Sequence, residues 1–138
     1  MKKLYRASFV FLFLGLAAGV LYRELTRFTG YTGDTTLSVL HTHTLVLGVV
    51  MMLVFLILER LFCVSREKAF KVFFPLYVSS LSLLLAMLGI RGGLQVFETE
   101  ISSALDASIA GISGISHVGI GAAFILFFVM LGKAIKRA

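Results

Sequence analysis

Two histidines, His41 and His43, stand one residue apart in the apolar run Leu-His-Thr-His-Thr-Leu-Val-Leu-Gly that ends at Gly48. An ionisable ring in a hydrocarbon environment is costly, so its presence there points to a ligand, a relay or a polar partner. On a helix, residues i and i+2 are turned apart by about 200°, and the two rings look out from nearly opposite sides. Such a pair does not close on one metal ion. It reaches into two separate sites, one on each flank of the helix. A third histidine, His117, follows Ser113 and Ser116 in another apolar run. A neutral imidazole in a span can also be satisfied by a serine or a carbonyl, and that plain packing role stands beside a ligand role for all three rings.

The donor set narrows the chemistry. Zinc and copper call for three or four converging His, Cys or carboxylate donors. The apolar runs carry no carboxylate, and the methionines Met51, Met52, Met87 and Met130 lie at other depths. Haem needs only one or two axial imidazoles and a roomy apolar slot. It also needs partners for two propionates, and arginine holds a carboxylate by a forked contact. Arg23, Arg27 and Arg91 fall at the same ends of their segments as the histidine pair. Their plain alternative is contact with lipid phosphates. Gly48, seven residues after His41 and on nearly the same face, could make room for a flat ligand.

The elements that must hold these residues are four apolar blocks, from about Tyr5 to Tyr22, Thr36 to Leu58, Phe70 to Ile90 and Ala107 to Gly132. Each is long enough to cross a hydrocarbon core of roughly 30 Å. Across all 138 residues, 59% are hydrophobic and 14% charged, which is too apolar for a water-soluble domain of this size. One all-α domain of four transmembrane helices, residues 1–138, is expected. His41 and His43 would enter about 8 to 11 Å from the outer end of the second span, and His117 about 15 Å into the fourth. The Met-Lys-Lys opening and Ala17-Ala18-Gly19 resemble a secretory signal. The length of the run, with Arg23 and Glu24 closing it, favours a retained first span.

The net charge of +6 does not indicate nucleic acid, because no basic stripe with interleaved aromatics faces water. Lys2, Lys3, Arg6, Arg60, Arg66, Lys68, Lys71, Lys133, Lys136 and Arg137 fall on one side, and Arg23, Arg27 and Arg91 on the other. The positive-inside rule places both termini in the cytoplasm, with four spans between them. Cys63, the one cysteine, excludes an internal disulfide and any paired-cysteine metal motif. It reads as a reduced thiol on the inner side.

Three connections complete this plan. The outer loop Arg23 to Thr35 holds Asp34, a candidate cap for the second helix. The inner loop Glu59 to Lys71 precedes Pro75, early in the third helix where proline is tolerated. A second outer loop from Arg91 to Asp106 either prolongs the third helix or forms a surface turn, with Asp106 as a candidate cap for the fourth. Gly15 and Gly19 form a GxxxG step, and Ser103, Ala107 and Gly111, with Ala110 and Gly114, form small-residue rows. These permit close helix approach in lipid.

The run Leu37 to Gly48, with Gly111 to His117, resembles a family of small uncharacterised four-span proteins of Gram-positive bacteria, over nearly the whole chain. The His-Thr-His-Thr-Leu-Val-Leu-Gly run is more distantly similar to His-x-His helices in subunit I of haem–copper oxidases and in NnrS-type haem membrane proteins. That subunit is built of three four-helix arcs, and one His-x-His helix gives an imidazole to each of two haems. The resemblance implies that this chain is one arc of a ring-like homo-oligomer, a trimer. Haem b would then lie at subunit boundaries between His41 of one chain and His43 of the next. Two imidazoles leave iron no open position, which suits electron transfer or small redox-molecule sensing with a separate redox partner. The chain has no adjacent histidine pair and no His-Pro-Glu-Val-Tyr run, so oxygen reduction is not expected. Two other classes remain open. One is a copper- or zinc-handling protein in which His41, His43 and His117 line a path across an oligomer. The other is a cofactor-free accessory subunit.

Overall fold

The computed structural model describes residues 1–137, and the described part is helical throughout, with short connections. Four long helices carry it: α1 (Lys2–Thr29), α2 (Leu37–Phe62), α3 (Phe70–Val96) and α4 (Ser103–Arg137). Each is long and apolar enough to cross a membrane. Many large apolar side chains remain outward, including Phe13, Val20, Ile115, Ile125 and Phe128. A surface of that kind is covered by lipid rather than by water. The chain is a multi-pass helical membrane protein.

Every span runs beyond the apolar block that announces it. The α1 helix continues through Arg23 and Glu24 to Thr29, where Gly30 closes it at φ 69° and its N–H returns to the Thr26 carbonyl. Only glycine takes that left-handed conformation without cost. Polar residues do not break a helix at the membrane surface; the span ends where the backbone turns. Likewise α3 extends past Arg91 to Val96, and the second outer loop shrinks accordingly. Asp34 does not cap α2. Its carbonyl accepts the Tyr31 hydroxyl, and Thr35 Oγ1 accepts the Leu37 N–H at 3.2 Å instead. Asp106 lies within α4, whose first turn is served by Ser102 Oγ accepting from Leu105 N–H.

The helices pack in chain order. The α1 helix lies on α2, α2 on α3 and α3 on α4, with lesser contacts between α1 and α3 and between α2 and α4; α1 and α4 do not meet. The sequence is thus an open run of four helices rather than a closed bundle. Gly15 and Gly19 face α2: a side chain at Gly15 would strike Leu45, and one at Gly19 would touch His41. Gly48 is covered from the other side by the Phe11 ring. At the N-terminal end of α2, Gly92 admits the Leu37 backbone, while Thr35 Oγ1 donates to the Gly92 carbonyl and Thr36 Oγ1 to that of Leu88. The small-residue rows of α4 behave differently. Ser103, Ala107 and Ala110 are exposed, and Gly111 and Gly114 have open space around them. The α4 helix packs on α3 through another face, including Ser116, Ala123 and Phe127, with Gly119 against Ser80.

Phe55, Phe73, Tyr77 and Phe127 form an aromatic core joining α2, α3 and α4, with ring centroids 4.4–5.9 Å apart among those in contact. Edge and tilted arrangements dominate, as the ring quadrupoles favour. Beneath it, the connection Cys63–Ala69 is held by Glu59, whose carboxylate accepts from the Ser65 N–H at 2.6 Å and the Ser65 hydroxyl at 2.5 Å.

Candidate functional site: three imidazoles in the spans

Directly after the two histidines, α2 changes its winding: residues Thr44–Val50 are π-helical. Such segments are rare and concentrate at functional sites, since they rotate the side chains that follow and free backbone groups. Here the freed group is identifiable. Met51 N–H bonds to the Val46 carbonyl, five residues back, so the Leu47 carbonyl loses the donor an α-helix would supply. The Tyr77 hydroxyl of α3 donates to it at 3.0 Å. At the entrance, the Thr44 hydroxyl donates to the Leu40 carbonyl at 2.7 Å. Apolar periodicity carries no sign of this segment; a tyrosine in the third span is its one trace in the sequence.

His41 turns towards α1. The missing side chain of Gly19 leaves space for its ring, with the built Cβ position 3.7 Å from His41 Cβ. Its Nδ1 is buried without a hydrogen-bond partner among the described residues. A buried unsatisfied nitrogen costs about 1–3 kcal/mol, and in a native protein it calls for a role.

His43 lies on another side of α2. Its Nδ1 bonds to the Val39 carbonyl at 2.8 Å. A carbonyl only accepts, so Nδ1 is the donor in this bond. The ring borders a shallow depression of about 280 Å³ with Thr42, Val46 and Leu47.

His117 repeats the pattern on α4. Its Nδ1 bonds to the Ser113 carbonyl at 2.9 Å, and the residue is exposed. The two serines beside it serve it only through that backbone oxygen, since Ser116 Oγ donates to Ile112. Fixing Nδ1 by a carbonyl is how proteins orient an imidazole whose other nitrogen binds a metal.

The structure keeps these rings apart. Among the described residues no three His, Cys, Asp or Glu side chains are grouped so that they could hold an ion. The arginines divide as well. Arg23 follows Gly19 by one turn and Arg27 follows Arg23 by another, so this row of α1 continues past the His41 level towards the C-terminal end of the helix. Both are exposed, and Arg23 makes only a loose 3.9 Å contact with Glu24. Arg91 is engaged: it donates to Asp106 Oδ1 at 2.6 Å and to the Asp106 carbonyl at 3.3 Å. The space beside Gly48 is taken by Phe11, so a flat ligand there would have to displace that ring.

Fold and side chains together describe a small helical membrane protein with three histidines inside its spans. The chain belongs to the family described as protein of unknown function DUF2871, whose profile matches residues 1–134. No curated protein and no solved structure matches it.

Proposed function

We propose that this chain is a haem b-binding protein of the bacterial cytoplasmic membrane, with both termini inside, that carries electrons or senses a small redox-active molecule. The observation that carries the reading is the state of the imidazoles. His43 and His117 have Nδ1 tied to a backbone carbonyl, and His41 holds a buried nitrogen with no partner. The carbonyl bonds of His43 and His117 suit a plain helical role as well as a ligand role, so the weight falls on His41, whose buried nitrogen has no partner among the described residues.

His41 and His43 face different surroundings, so the pair serves two sites rather than one. In a closed oligomer, a trimer by analogy with three arcs, His41 of one chain and His43 of the next meet at the boundary. The open order of the helices, with α1 and α4 apart, supports a subunit that is completed by its neighbours. Arg23 and Arg27 hold the acidic groups of the ligand at the outer rim, and Val39 fixes the His43 tautomer. Haem held by two imidazoles supplies one-electron redox chemistry with no open coordination position.

The test is the visible spectrum of detergent-purified protein from haem-replete cells, oxidised and then reduced with dithionite. A Soret band with sharp reduced α and β bands is the expected result. Colourless protein overturns the reading; stoichiometric copper or zinc would then favour metal handling, and metal-free protein an accessory subunit.

A further inference from the structure

A groove of about 370 Å³ runs between the inner halves of α1 and α3. Its walls are apolar: Val10, Phe11 and Leu14 from α1, Phe74 and Val78 from α3. Ser82 closes its upper part, and Lys3 and Arg6 stand at its lower mouth. Neither cation enters an ion pair among the described residues, where the three pairs present involve other groups.

The dimensions identify the occupant. From Lys3 to Leu14 the groove climbs about 16 Å at the helical rise, which is close to half of a hydrocarbon core of roughly 30 Å. That is the reach of one acyl chain in one leaflet. A row of cations at one end and a dry channel of one-leaflet length above it match a molecule with an anionic head and a hydrocarbon tail. Basic pockets between spans hold acidic lipid headgroups by this charge complementarity, and arginine forks a phosphate as it forks a carboxylate.

We propose that the α1/α3 groove is a binding site for one anionic phospholipid, with Lys3 and Arg6 on its phosphate and the chain laid along Val10, Leu14 and Val78. The site is independent of the histidines, and its test does not depend on any cofactor.

The full-length protein in detergent is titrated with phosphatidylglycerol or phosphatidylcholine, and bound lipid is counted by native mass spectrometry. One phosphatidylglycerol per chain is expected, retained at least about tenfold more than phosphatidylcholine. The Lys3→Gln/Arg6→Gln variant should fall to the phosphatidylcholine level. Ser82→Phe, which fills the groove from an exposed position and leaves the cations intact, should lose the lipid as well. Equal retention of the two lipids, or full retention by both variants, overturns the proposal. Displacement by millimolar inorganic phosphate would assign the cations to a soluble anion, and overturns the lipid assignment too.

Discussion

At the scale of single residues, what distinguishes the three histidines is which nitrogen each has already spent. His43 and His117 spend Nδ1 on a carbonyl four residues back, a bond that helical geometry offers to any histidine with a suitable rotamer. His41 has no such bond, because its ring is turned into the gap left by Gly19. Replacing His41 and His43 together by alanine should therefore leave an inserted, folded protein without a Soret band. A variant that purifies with full haem content would sink the ligand assignment. Among the arginines, Arg91 is bound to Asp106, which leaves Arg23 and Arg27 as the residues placed for an acidic ligand. Sequence spacing made all three equal; the ion pair that separates them joins residues on two different helices.

At the scale of elements, α2 is the unusual helix. Its π-helical turns carry the chain past Phe11 and Tyr77 and leave one carbonyl to be satisfied from outside. Tyr77→Phe removes that donor while keeping the ring in the aromatic core. A buried carbonyl left without a partner costs about 1–3 kcal/mol, so thermal unfolding in detergent should move down by several degrees. An unchanged midpoint would mean that the carbonyl finds another donor or that the segment rewinds as α-helix. The existence, order and approximate length of the four helices were legible in the apolar blocks, because a span must present apolar side chains on every face that meets lipid. The ends were not. Arg23 and Glu24 read as a boundary yet lie within α1, and the segment from Arg91, open between helix and surface turn, prolongs α3 to Val96, since charged groups reach the interface without interrupting backbone hydrogen bonds.

At the scale of the whole molecule, the arrangement is a row of helices whose two ends do not meet. The basic residues crowd one end of the helices in that row, and the topology proposed from them puts Cys63 on the inner side. In intact cells Cys63 should react with a membrane-permeant maleimide and resist an impermeant one until the cells are opened. Labelling from outside would reverse the proposed topology. Small residues show most clearly how packing is settled at this level. Gly15, Gly19 and Gly92 face neighbouring helices, whereas Gly111 and Gly114, equally suited to close approach, meet nothing in the chain.

The sequence by itself determined that this is a four-span helical protein, with its charges sorted to the two sides and its histidines inside the spans. Those properties follow from side-chain transfer energies along one chain, and they do not depend on which helix lies beside which. Only the tertiary structure decided that Gly48 is covered by Phe11, that Arg91 belongs to Asp106, that Tyr77 completes the α2 backbone, and that Lys3 and Arg6 open onto an apolar groove. Each of these joins residues far apart in sequence, and in lipid, where apolar faces are not sorted from solvent, helix partners are chosen by shape and by a few polar contacts.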